Sequence, residues 1–210
     1  MKSALRVYLS TAALAVGLTA APAFAATTIT GSVTNINVNG RDPGLVINAS
    51  PIAFPSFTLN NPGDVAQFNV LTIGTPEASV DFPDDFLPRP ISVAFSFTSP
   101  LGARGPAVTG NTLGFVSFLG GNCGIAAGGC GQALFNTPTI FNFGQGGRFS
   151  VALSNTTFAT PGSANVTGRF TLISNAVPEP ATWALMLLGF GAVGAAMRSP
   201  KRRRMTVSYA

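Results

Sequence analysis

Histidine is missing from all 210 residues. Lysine occurs only at Lys2 and Lys201, tyrosine only at Tyr8 and Tyr209, and tryptophan only at Trp183. The long middle of the chain therefore lacks the imidazole that most often serves as general base or metal ligand. Ser-His-Asp and Cys-His arrangements cannot be built from it. A pair of carboxylates could still hydrolyse a glycoside, but sugar sites usually add flat aromatic platforms, and phenylalanine alone substitutes for them poorly. The composition points away from an enzyme, and no cofactor or metal ligand set is expected.

Charge is scarce as well, at 9% of residues, and its sign is unevenly placed. The formal net charge is +5. Lys2 and Arg6 belong to the first residues, and Arg198, Lys201, Arg202, Arg203 and Arg204 to the last. Between Ala26 and Val177 stand Arg41, Arg89, Arg104, Arg148 and Arg169 against Asp42, Asp64, Glu77, Asp81, Asp84 and Asp85, one more acid than base. The high isoelectric point belongs to the ends, and the middle has no basic patch for phosphates. Nucleic acid is excluded as a partner.

The ends explain that asymmetry. Lys2 and Arg6 precede an apolar run from Val7 to about Ala21, and Ala23-Phe24-Ala25 then supplies small residues at the positions a signal peptidase reads. Residues 1–25 are thus predicted to be a Sec-type signal helix, cleaved after Ala25. At the other end, Pro180 starts a run from Ala181 to Met197 without a charge. As a helix rising about 1.5 Å per residue it measures roughly 25 Å, the short edge of what spans a bilayer. Trp183 sits at one end, where an indole favours the headgroup level, and the basic block follows the other, so the positive-inside rule keeps that block cytoplasmic. The expectation is a single transmembrane helix over 181–197 with the rest of the chain outside.

A plain anchor has no need of Pro178-Glu179-Pro180. Two prolines around Glu179 enforce an extended, donor-poor backbone, the form a protease holds in its cleft. Pro178-Glu179-Pro180, then Trp183-Ala184, an apolar helix and a stop made of Arg198, Lys201, Arg202, Arg203 and Arg204 together resemble the PEP-CTERM sorting signal in its PEPxxWA variety. The resemblance covers 177–204 and nothing upstream. It implies recognition by an exosortase, a membrane-embedded protease or transpeptidase, in a Gram-negative bacterium that makes extracellular polysaccharide. It also implies an inner-membrane intermediate, followed by delivery to the envelope surface or the medium. The expected organisation is a signal peptide (1–25), an exported passenger (26–176), the sorting signal (177–204) and a short tail (205–210).

The passenger reads as all-β. Ile91, Val93, Phe95 and Phe97 alternate with Ser92, Ala94, Ser96 and Thr98. Phe149, Val151 and Leu153 do the same, and Phe170-Thr171-Leu172 continues the theme. Period two with aromatic and β-branched residues marks half-buried strands. Asn39-Gly40, Pro62-Gly63, Pro100-Leu101-Gly102, Gly120-Gly121-Asn122, Gly146-Gly147 and Pro161-Gly162 separate them as turns. No stretch shows a helical period, and Thr27-Thr28-Ile29-Thr30 does not recur at a fixed spacing, as a β-solenoid would require. The predicted fold is an antiparallel β-sandwich, with Asp42 to Gly63 as a long loop or a poorly paired strand.

Two clusters remain. Cys123 and Cys130 flank a glycine-rich loop, and in an oxidising compartment an even cysteine count predicts a disulfide between them. Asp81, Asp84 and Asp85, with Glu77 upstream, form the densest acidic group; without ligand spacing they read as a solvated turn beside Arg89, not a calcium site. The functional expectation is a non-catalytic exported surface or extracellular-matrix protein. Its alternative is a binding module for extracellular polysaccharide or another envelope component, and a matrix-polymer enzyme ranks last.

Overall fold

The computed structural model describes residues 26–39, 42–177 and 180–198. The signal helix expected over 1–25, and the cleavage expected after Ala25, lie outside the described residues. Among the described residues, eleven antiparallel strands precede one C-terminal α-helix, α1 (Pro180–Arg198). One sheet holds β1 (Thr27–Val38), β3 (Phe57–Leu59), β5 (Arg89–Ser99), β6 (Val108–Phe115), β7 (Cys130–Phe135) and β10 (Thr156–Ala159), in the order β10-β7-β6-β5-β1-β3. The other holds β2 (Asn48–Pro51), β4 (Val65–Thr75), β8 (Thr139–Phe143), β9 (Gly147–Leu153) and β11 (Gly162–Ser174), in the order β2-β4-β11-β9-β8. The all-β, antiparallel architecture is the expected one. Its sheets are curled because the ladders slip at Thr30/Gly31 and Val33/Asn35 on β1, and at Val166/Thr167 and Leu172/Ser174 on β11. Each such bulge bends its strand and adds local twist.

Phenylalanine joins the sheets. Phe97 on β5 meets Phe141, Phe149 and Phe170 of the opposite sheet edge-on, with centroids 5.0, 5.0 and 6.5 Å away. These are distances at which ring quadrupoles attract. Phe141, Phe149 and Phe170 are completely or almost completely buried, as are Val151, Leu172, Ile91 and Val93. The alternating positions of β5, β9 and β11 therefore all turn inward, as their period-two pattern requires.

The segment from Asp42 to Gly63 is largely irregular, as expected, but carries two short edge strands. It contains β2, paired with β4, and β3, paired with β1, and so passes from an edge of one sheet to an edge of the other. Leu45, Ile47 and Leu59 are buried along it. Pro51 and Pro55 withhold ladder donors, which keeps both strands short and at the sheet edges. Two turn boundaries also move by one residue: Gly147 opens β9 and Gly162 opens β11.

The register gives the domain two distinct ends. Near the start of β1 and the finish of β11 gather the Asn60–Asp64 turn, the Pro100–Gly102 turn and the β8–β9 turn at 144–146. At the other end lie the acidic segment from Glu77 to Asp85 and the cysteine loop.

Candidate functional site

β11 delivers the chain to the end where β1 begins, and side chains lock the two together. The Thr27 hydroxyl donates to Asn175 Oδ1 at 3.1 Å, a buried bond between residues 148 positions apart. Asn175 Nδ2 donates to the Asn60 carbonyl at 3.3 Å, and the Ser174 hydroxyl donates to the Gly146 carbonyl at 2.6 Å. The Val177 amide donates to the Gln145 carbonyl at 2.9 Å. The chain is thus held by the folded domain up to the residue before Pro178. Ala26 and Ala176 line one shallow depression with Leu101, Phe143 and Gly144, so the expected new N-terminus and the start of the expected sorting segment are neighbours. Sequence reasoning missed this clasp, since nothing local in Thr27, Asn60 or Asn175 announces a partner so distant along the chain.

Pro180 opens α1, a position where its fixed φ suits a helix and its missing N–H costs no bond. From Trp183 to Arg198 every side chain of α1 is exposed, including Leu185, Leu187, Leu188, Phe190, Val193 and Met197. Trp183 and Ala184 lie in its first turns and Arg198 closes it. Among the described residues, no helix is long and apolar enough to cross a membrane. The segment 181–197, expected to span a membrane, lies within this 19-residue helix, whose described side chains are exposed. Pro178 and Glu179, and Lys201, Arg202, Arg203 and Arg204, lie outside the described residues.

Cys123 and Cys130 are joined by a disulfide, with Cα atoms 4.9 Å apart. The loop they close is further pinned by Ser117 N–H to the Cys123 carbonyl at 2.7 Å and Val80 N–H to the Gly128 carbonyl at 2.7 Å. Gly128 must be glycine: its φ is +80°, and a Cβ would stand 2.3 Å from the Ala78 carbonyl oxygen. Phe118 and Leu119, in the turn between β6 and Cys123, are almost fully exposed.

The acidic group is only partly the solvated turn expected of it. Asp81 and Asp84 are exposed, but Asp85 is buried and accepts the Asp81 amide on Oδ2 at 2.7 Å. Glu77 Oε1 accepts the Val46 amide at 3.1 Å, while Oε2 is buried without a partner. Arg89 donates to the Pro43 carbonyl. Among the described residues, no three acidic, cysteine or histidine side chains converge on a point that could hold a metal ion. Burial pushes the Asp85 carboxyl above its ordinary 3.8; the Asp81 N–H opposes that rise, and the charges of Asp81, Asp84 and Asp42 add to it. Glu77 is raised above 4.5, again chiefly by burial, against the lowering bond from Val46.

A raised carboxylate pKa means that the folded state binds the proton more tightly than the unfolded one. Its contribution to stability is greatest below the unfolded value and is lost as pH rises through the folded one. Asp85→Asn keeps an acceptor for the Asp81 amide and removes the buried charge. Its melting temperature at pH 7 should exceed wild type by roughly 2–4 °C, the shift that about 1 kcal/mol produces in a domain of this size. The gap should close as pH falls toward 4; thermal melts at both pH values check this, and a lower melting temperature at pH 7 would refute it.

An all-β domain that ends in a clasped strand and then an exposed apolar helix has the build of a passenger carrying a separate C-terminal signal. The family model for the PEP-CTERM protein-sorting motif matches residues 176–204, so the chain carries a C-terminal sorting signal of that type. No curated protein and no solved structure matches the chain.

Proposed function

We propose that this chain is a non-catalytic exported protein of the cell surface or extracellular matrix, sorted through its PEP-CTERM signal in the PEPxxWA form. A Sec-type signal peptide starts export and is removed after Ala25. α1 then enters the inner membrane, with Trp183 toward the outer headgroups and Arg198, Lys201, Arg202, Arg203 and Arg204 as the cytoplasmic stop. An exosortase-type protease or transpeptidase acts at Pro178-Glu179-Pro180 and frees the β domain for the envelope surface or the medium.

The observation that carries this reading is the match of the sorting motif to residues 176–204, starting where the folded domain ends at Val177. The helix fits the role physically. It is apolar on every described face and exposes that surface, and lipid is the solvent that removes the cost. At 19 residues and about 28 Å the helix falls short of the roughly 30 Å hydrocarbon core, a mismatch that a bilayer meets by thinning locally.

Mass spectrometry of the protein recovered from envelope and medium fractions tests the whole sequence of events. The mature chain should begin at Ala26 and end at or beside Pro178–Pro180. A protein that keeps its last residues in every fraction is not processed, and the sorting reading then fails.

A further inference from the structure

Beyond the tail, the passenger is polarised. At the end distant from Val177 stand Glu77, Asp81, Asp84 and Asp85. At the end that carries Ala26 and Val177 stand Arg104 and Arg148. Arg104 exchanges two backbone hydrogen bonds with Asn142, each 2.9 Å, and Asn142 is the ladder partner of Arg148. Directly paired residues of antiparallel strands project to the same side of the sheet, and adjacent strands lie about 4.8 Å apart. The two guanidiniums therefore form one exposed row, their Cα atoms separated by roughly 10 Å, and neither has a protein partner among the described residues. Among the described residues, the carboxylate at this end is Asp64, whose Oδ2 is occupied by the amides of Asn60 and Asn61, at 2.8 and 2.9 Å; Glu179 follows in the short segment that leads to α1. Beside the row, Leu101 is 89% exposed at the tip of the turn after β5, and Val177 is 59% exposed where the chain leaves for α1.

We propose that this end is a membrane-facing surface: Arg104 and Arg148 seat on anionic phospholipid headgroups of the bilayer that α1 enters, with Leu101 as an apolar contact. The inference rests on the reading of α1 as an inserted helix, and it deepens that reading by assigning the passenger an orientation. Charge complementarity and the chain path select the occupant. Only two residues separate Val177 from Pro180, so the bilayer cannot be far from this end, and signal-peptide cleavage would add the α-ammonium of Ala26 to the same surface. The acidic end, repelled by the same headgroups, faces outward with the exposed Phe118 and Leu119. Seating of this kind holds the segment 178–180 close to the bilayer, where a membrane-embedded protease reaches it.

The test uses the full chain in phospholipid vesicles. Leu101→Cys and Leu119→Cys are labelled separately with an environment-sensitive fluorophore, since both native cysteines are disulfide-bonded. Spin-labelled lipids then report depth, and flotation reports insertion of α1. The expected result is strong quenching at position 101 and little at 119 in vesicles containing anionic lipid. Quenching at 101 should fall several-fold in Arg104→Gln/Arg148→Gln, in neutral vesicles, and in wild type near 1 M salt, where the Debye length shrinks to about 3 Å. Chains that float yet show no quenching at 101, or equal quenching at both positions, overturn the proposed seating and leave the inserted helix standing. Quenching at 101 that ignores charge, lipid and salt overturns the role of the arginines. Chains that do not float overturn the inserted helix and the seating with it.

Discussion

Replacing Pro178, Glu179 and Pro180 together by alanine should leave the protein at full length in the inner membrane. The substitutions keep the apolar segment 181–197 and the basic residues after it, so insertion should persist; what they remove is two prolines, which lack an N–H, and the carboxylate between them. Alanine also favours the helix, so α1 gains a route to extend backward across the segment a protease must hold. Each 1.4 kcal/mol of transition-state binding lost is about tenfold in rate, so the loss of two contacts of that size slows processing roughly a hundredfold. Immunoblots of membrane and medium fractions from the native host would show the full-length band accumulating. Wild-type release of the alanine variant would reduce the tail to a simple anchor. A companion variant lacking Arg202, Arg203 and Arg204 should instead leak through the membrane, since it keeps the recognition segment and loses the charges that resist translocation.

Phe170→Ala should be the most damaging single change in the passenger. Phe170 is fully buried, and its ring approaches Phe54 at 5.2 Å, Phe57 at 5.1 Å, Phe95 at 6.3 Å and Phe97 at 6.5 Å. It therefore sits where the two sheets and the crossing segment between β2 and β3 all meet. Removing a buried phenylalanine costs about 3–5 kcal/mol, from lost transfer free energy and the cavity left behind. Against a total stability of about 5–15 kcal/mol, that lowers the melting temperature by roughly 10 °C or more and unfolds a marginal domain outright. Chemical denaturation of the variant should show a lower midpoint with an unchanged slope. A loss below about 1 kcal/mol would mean that the neighbouring rings close over the gap.

Much of this protein is determined by short-range sequence. A period-two pattern marks β5, β9 and the end of β11, because adjacent residues of a strand face opposite sides and only one side is buried. The sorting segment is legible for a similar reason. Pro178, Glu179, Trp183 and the basic block form one contiguous pattern of residue types, readable whatever the domain beside them does. The disulfide between Cys123 and Cys130 belongs with these features, because seven positions of glycine-rich chain are enough to bring the two sulfurs together.

The tertiary structure decided what depends on distance along the chain. Leu45, Ile47 and Leu59 carry no alternation, yet they are buried because the segment around them crosses from one sheet edge to the other, a path set by its partners β4 and β1. Asp85 resembles its neighbour Asp84 in sequence, and only packing against β6 makes one buried and the other exposed. Thr27 and Asn175 have no local reason to meet. Arg104 and Arg148 become one surface only because a bridge to Asn142 and a ladder pair place them side by side. Local patterns suffice where a residue's role is set by its own backbone period or by a few neighbours. Pairings between remote strands are fixed by register, and register is chosen by the burial of the whole core at once.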